Sequence, residues 1–223
     1  MIINLIRHST TITNELGLPS GVSDDQPLSE TGVKIIEDLK AQNIYPEEPG
    51  ELYGSPLKRS YQTLEVIYPG KEVHKSPYLL ERNFGILERM SKEEFAEYCK
   101  DHFPPDNGQE SEEELADIPE GGESTLMVIE RTRRDFPKLV DEFIEKGYDL
   151  VTICGHGAYI RDMAHAFGLP VMGALRGDAF LDNGKGVTLD VKRTEDGLDM
   201  NIIGCIGGET VEDVVIDYMK RYK

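Results

Sequence analysis

The chain reads as an α/β fold: a largely parallel sheet covered by helices on both faces, with an antiparallel hairpin late in the sequence. Three observations predict it. Apolar runs such as Ile2-Ile3-Asn4-Leu5-Ile6 and Leu150-Val151-Thr152-Ile153-Cys154 alternate with amphipathic helical stretches. Each of these two runs stops at a histidine, His8 or His156, as a buried strand does on reaching a functional edge. Residues 187–191 and 200–203 flank Glu195-Asp196-Gly197, which reads as a hairpin turn.

In chain order, the first strand gives way to Arg7-His8-Ser9-Thr10-Thr11. The stretch 14–27, rich in Gly, Ser, Asp and Pro, is too polar for core and long enough to border a site, where Asn14 can serve as a donor. Ser29 caps a helix with Val33, Ile35, Ile36 and Leu39 on one face, ending near Asn43. Residues 51–54 read as a short strand. Ser55-Pro56 then reads as a helix start, a cap residue with proline at the first helical position, which puts Arg59 in the first turn beside free N–H groups.

A strand is expected at Val73-His74, followed by Leu79-Leu80-Glu81, where a carboxylate directly follows two leucines. Ser91 and Glu94 form a capping box for a helix through Tyr98. Between Asp101 and Glu130 there are ten acidic residues and no Lys or Arg, and the surrounding segment, about 88–122, is read as a lid-like insertion. A long helix is predicted over 124–146, bent at Pro137 and stopped by Gly147. A helix over 158–167 is closed by Gly168 and Pro170, and 211–222 forms a terminal amphipathic helix.

With 223 residues, 39% of them hydrophobic, the chain suffices for one sizeable core, and residues 1–223 are read as a single domain. A net charge of −18 argues against nucleic acid as a partner. A local cluster of Arg and His can still hold a phosphate, because that charge is screened within about 8 Å at physiological salt. Cys99, Cys154 and Cys205 form neither a CxxC nor a paired framework, so the thiols are expected reduced. No basic start precedes an apolar signal core and no eighteen apolar residues run together, so a cytoplasmic protein without a membrane partner is expected.

Arg7, His8, Arg59 and His156 all fall beyond the carboxyl ends of strands, where ligands bind in open α/β sheets. Two guanidinium groups and two imidazoles suit a dianionic phosphoryl group. A neutral imidazole in that cradle can be the nucleophile, and its phosphoramidate is open to hydrolysis. Glu81 is the carboxyl best placed to protonate the leaving alkoxide. Glu123 reads either as a pocket residue or as a helix-start carboxylate, Arg82 either as a salt-bridge partner of Glu81 or as an extra cation, and Asn14 equally as a turn residue. A zinc site from His8, His156, Glu81 and Glu123 is disfavoured by the two arginines and by the lack of a closely spaced ligand pair. A cysteine phosphatase is disfavoured because six residues separate Cys154 from Arg161, one more than that loop uses.

Leu5-Ile6-Arg7-His8-Ser9-Thr10-Thr11 with Asn14, Pro27-Leu28-Ser29, Ser55-Pro56-Leu57-Lys58-Arg59 with Gln62-Thr63, Glu81 with Phe84-Gly85, Gly122-Glu123-Ser124, and Gly155-His156-Gly157 with Ile160-Arg161 together resemble the histidine phosphatase superfamily, also called the phosphoglycerate mutase-like family. The resemblance implies a three-layer α/β/α sandwich without metal or organic cofactor. It implies His8 as phosphorylated nucleophile, Arg7, Arg59 and His156 as the phosphate pocket, Glu81 as proton donor and Asn14 as an outer phosphate contact. Ser9 stands where the family pattern most often has glycine, so its side chain is expected to narrow the approach to His8 or to add a hydroxyl contact to phosphate. The function implied is a phosphomonoesterase acting on a small phosphorylated metabolite. The alternatives are a cofactor-dependent phosphoglycerate mutase and a non-catalytic phosphate-binding module of the same fold. The acidic 101–130 segment favours hydrolysis over mutase chemistry, which needs extra cations near the lid.

Overall fold

The computed structural model describes residues 1–102, 116–169 and 181–207. Its sheet is built on β1 (Ile2–Arg7), with β2 (Glu51–Gly54), β3 (Val73–Lys75), β4 (Leu150–Gly155), β5 (Gly186–Thr194) and β6 (Gly197–Ile206) in the order β3-β2-β4-β1-β5-β6. Strands β3, β2, β4 and β1 are parallel, whereas β5 runs antiparallel to β1 and β6 antiparallel to β5. This is the expected mixed sheet with its late hairpin.

The period of two in the strand sequences sorts residues onto two faces. Ile3, Leu5, Val151 and Ile153 pack with Phe136, Leu139, Phe143, Ile160 and Met163, which come from α5 (Thr125–Glu145) and α6 (Gly157–Ala166). On the other face Ile6, Leu52 and Cys154 pack with Ile36, Leu64 and Ile67, which come from α2 (Glu30–Ala41) and α3 (Lys58–Ile67). Helices on both faces make three layers. The buried polar positions of the central strands satisfy one another: Asn4 Nδ2 donates to Thr152 Oγ1 (3.2 Å), Thr188 Oγ1 donates to Asn4 Oδ1 (2.9 Å), and Thr152 Oγ1 donates to the Pro49 carbonyl (2.6 Å).

Several helix ends were readable from cap residues. Ser29 accepts from Gly32 N–H at the start of α2, and Ser124 from Met127 N–H at the start of α5. Gly147 and Gly168 take φ of +73° and +65° after α5 and α6. The helix α5 continues through Pro137, at the cost of one backbone hydrogen bond. The first four-residue helix, α1 (Ile12–Glu15), was not foreseen; Thr11 and Asn14 close a capping box around it. The helix α4 (Lys92–His102) carries the Ser91–Glu94 box and extends past Tyr98. Part of the segment read as a lid, residues 103–115, lies outside the described residues, as do Pro170 and the predicted terminal helix 211–222. From Thr125 onward the acidic stretch belongs to α5.

Candidate active site

The register Arg7↔Gly155 makes His8 and His156 neighbours just beyond the ends of β1 and β4. The His8 N–H donates to the Gly155 carbonyl (3.0 Å), and the two rings meet edge to face with centroids 5.1 Å apart. Both are buried, at 2% and 0% exposure. His8 Nδ1 lies 2.6 Å from the Ser9 carbonyl oxygen, which can only accept, so Nδ1 carries the proton and Nε2 the lone pair. Asn183 Nδ2 donates to the His8 carbonyl (2.9 Å) and fixes the backbone from the far side.

Ser9 is fully buried, and its hydroxyl donates to the Gly32 carbonyl in α2 (2.7 Å) while its N–H donates to Thr63 Oγ1 in α3 (3.0 Å). The side chain is thus drawn into the helical layer rather than over His8. Gly32 permits this approach, since a Cβ there would overlap the Thr10 carbonyl.

Arg59 sits in the first turn of α3, as expected, although α3 begins at Lys58 rather than at Pro56. Ser55 Oγ accepts from Leu57 N–H (3.2 Å) and closes a turn that delays the helix. Arg59 has no exposed surface; its Nη1 donates to the Asp24 carbonyl, and Nη2 to the carbonyls of Ser20 and Gly21 (both 3.0 Å). Arg7 Nη1 donates to the Leu181 carbonyl (2.7 Å).

The expectation of free helix N-termini needs correction. Lys58 N–H is taken by Asp25 Oδ1 (2.7 Å), reinforced by a Lys58 Nζ–Asp25 Oδ2 pair at 3.4 Å. At α6, Tyr159 N–H donates to Glu81 Oε1 (2.8 Å) and Ala158 N–H to Oε2 (3.2 Å). Protein carboxylates therefore hold donors of both helix starts. Glu81, at 4% exposure, is brought against the turn that follows His156.

Glu123 and Arg82 fall behind Glu81 and hold its loop. Glu123 Oε2 accepts from Asn83 N–H (2.8 Å) and Oε1 from Arg131 Nε (2.9 Å), while Arg131 Nη2 donates to the Glu81 carbonyl (3.0 Å). Arg82 donates to the Glu123 carbonyl and to Thr125 Oγ1, both at 2.8 Å. Asn14 Oδ1 is engaged by Thr11 N–H and Oγ1, each at 3.1 Å. Arg161 pairs with fully buried Asp162 (2.8 Å), whose carboxyl is pushed up to about 6 chiefly by burial. Residues of this region that sequence reasoning missed are Asp25, Glu88, Arg131 and Asn183. Each acts across the fold, so no local pattern announces it.

Burial, then Arg59 and then Arg7 hold His8 well below the ordinary imidazole value of 6.5, against an opposing contribution from the Ser9 carbonyl. Burial, Arg59, His8, Arg7 and Arg131 lower His156 likewise. Both rings are neutral at pH 7, which leaves His8 Nε2 nucleophilic. Below pH 6.5 the unfolded chain binds protons that the two folded histidines refuse, so stability present above 6.5 is lost as pH falls toward their folded values. Asp162 acts oppositely between about 6 and its ordinary 3.8. The expected net decline is roughly 1 kcal/mol per pH unit in urea melts below pH 6. Asp162→Asn should steepen it; a curve flat from pH 7.5 to 5 would contradict neutral buried histidines.

Two neutral imidazoles, two guanidinium groups and a buried carboxyl thus gather beyond the carboxyl ends of the parallel strands of an α/β fold. The chain belongs to the histidine phosphatase superfamily (branch 1), whose family model matches residues 3–199. Phosphoserine phosphatase 1 of Hydrogenobacter thermophilus is 34% identical over 131 residues, 58% of this chain and 59% of that protein. The Danio rerio protein named "Probable fructose-2,6-bisphosphatase TIGAR A" is 30% identical over 99 residues, 39% of this chain and 36% of that protein. These matches thus span less than two thirds of either relative. A mycobacterial glucosyl-3-phosphoglycerate phosphatase solved with VO3 superposes with a TM-score of 0.66 at 19% identity, over 90% of this chain and 96% of that one. Among the described residues no group of three or more His, Cys, Asp or Glu is placed to hold a metal ion, and no helix is long and apolar enough to cross a membrane.

Proposed function

We propose that the protein is a phosphomonoesterase that acts through a phosphohistidine on a small phosphorylated metabolite. The observation that carries this is a set of buried polar atoms without partners among the described residues: Arg59 Nε and both ring nitrogens of His156, beside His8 with its lone pair on Nε2. Buried polar groups left unpaired are costly, and a phosphoryl group accepts from the Arg59 Nε–H and from the one N–H of neutral His156 together. His8 Nε2 attacks phosphorus and the P–O bond to the leaving group breaks, with Arg7, Arg59 and His156 holding the equatorial oxygens. Glu81 Oε2, held by the longer of its contacts, gives a proton to the leaving alkoxide. It then takes one from the water that breaks the P–N bond and releases phosphate. Asn14 Nδ2 is the proposed outer contact to the bound phosphate.

Hydrolysis is favoured over mutase chemistry by the state of the cations behind Glu81. Arg82, Arg131 and Arg161 are each engaged by protein oxygens, so among the described residues near Glu81 these arginines are already occupied before a second anionic group of the substrate arrives. The names of these two relatives put phosphoserine and fructose-2,6-bisphosphate in the test panel. The expected result is phosphate release from monophosphates, phosphoserine among them, faster than from the bisphosphate, together with an acid-labile phosphoprotein after quenching. Rapid isomerisation of 3-phosphoglycerate with its bisphosphate primer would mark a mutase instead, and phosphate binding without release would mark a non-catalytic module.

Further parts of the same reading concern context. We take residues 1–223 as one domain, with about 88–122 as a lid. Activity should persist in excess chelator, since the chemistry above uses no metal. The free thiols of Cys99, Cys154 and Cys205 suit a reducing cytoplasm, and a charge of −18 suits a small substrate rather than nucleic acid.

A further inference from the structure

We propose that Glu88 is a positioning residue that couples the phosphate clamp to the proton donor, an inference that rests on the phosphatase reading above. Glu88 lies on a short 3₁₀ turn, Gly85–Arg89, and one carboxylate joins two loops. Its Oε2 accepts from Ser23 N–H (2.9 Å) and its Oε1 from Phe84 N–H (2.8 Å).

The first loop is the seat of Arg59. The carbonyls of Ser20, Gly21 and Asp24 accept from that guanidinium, and Ser20 Oγ braces Asp24 Oδ2 (2.6 Å). Glu88 is also among the carboxylates whose charge reaches Arg59, with Glu81, Asp24 and Asp25. The second loop follows Glu81 by three residues and is fastened by Glu123 and Arg131. Nothing but a hydrogen atom fits at the junction: a Cβ on Gly21 would overlap Glu88 Oε1 and come within 2.7 Å of the Arg82 carbonyl.

A carboxylate is the group this junction requires, because both oxygens must accept from backbone N–H donors. In Glu88→Gln one oxygen becomes an NH2 facing a donor, and one of the two loops is released. The clamp and the acid then lose their fixed separation, although neither Arg59 nor Glu81 has changed. An activated leaving group such as p-nitrophenolate departs without a proton donor, whereas an alkoxide does not, so the two classes of ester report on the two loops separately.

The test compares wild type, Glu88→Gln and Gly21→Ala, the last wedging the same junction from the opposite side without altering charge. Binding of inorganic phosphate is measured by calorimetry, and kcat and KM are measured on p-nitrophenyl phosphate and on an alkyl phosphate. Both variants should raise the phosphate Kd about ten-fold and should lower kcat on the alkyl ester about ten-fold more than on the p-nitrophenyl ester. Wild-type phosphate affinity in both folded variants overturns the proposal, as does an equal fall in kcat on the two esters with a lowered Tm. If wild type binds phosphate but hydrolyses neither ester, the phosphatase reading fails, and the phosphate Kd of the variants still decides for or against Glu88 as the brace of the clamp.

Discussion

His8→Ala is expected to lower kcat on p-nitrophenyl phosphate by about 10⁴-fold or more, because the nucleophile of a covalent mechanism has no substitute among its neighbours. His156 lies beside it, but among the described residues neither His156 ring nitrogen has a partner, so none of them fixes a lone pair of that ring toward the substrate. The measurement is steady-state hydrolysis together with labelling by a phosphoryl donor, quenched in alkali, where a phosphohistidine survives. Wild type should retain label on the protein and the variant none. The alanine replaces a side chain with 2% exposure, and its neighbour Ser9 stays anchored to Gly32 and Thr63, so the fold should survive. A variant that keeps both turnover and label would remove the covalent mechanism altogether.

Arg59→Lys is expected to lower kcat/KM by about 10²–10³-fold, with the inhibition constant for vanadate rising alongside. The guanidinium does two things that an ammonium cannot do at once. It donates to the Ser20, Gly21 and Asp24 carbonyls on one side, and it leaves Nε for the proposed phosphate contact on the other. Lysine brings a point charge on a flexible stem, so it can serve the loop or the phosphate but not both in fixed geometry. Kinetics like those of wild type in this variant would mean that Arg59 is a structural tie and that Arg7 carries the anion alone.

The legible part of the fold rests on periodicity and caps. Ile3 and Leu5 face one way and Asn4 and Ile6 the other because strand side chains alternate, and Ser29 and Ser124 mark helix starts because their hydroxyls satisfy orphan N–H groups. His8 and His156 were legible because each interrupts a strong apolar run, and the parallel register then makes them neighbours. What was not legible depends on partners far apart in sequence. Asp25 on Lys58 N–H, Glu88 on Ser23 N–H and Asn183 on the His8 carbonyl span 33, 65 and 175 positions, so each looks locally like an ordinary surface polar residue. The late start of α3 has the same character on a smaller scale: Ser55 competes for the Leu57 N–H and the helix waits. The hydroxyl of Ser9 illustrates a different limit, because its direction is settled by how closely Gly32 lets α2 approach.

The strand β1 is flanked on one side by β4 and on the other by β5, so His8, the proposed nucleophile, leaves from backbone that is paired along both edges. The strap that cradles Arg59 is by contrast a surface run rich in short polar residues, tied down by a few side chains. The proposed nucleophile and one of its proposed phosphate ligands are therefore housed in separate materials. Substitutions in the strap should thus reach turnover through Arg59 while leaving the seat of His8 undisturbed.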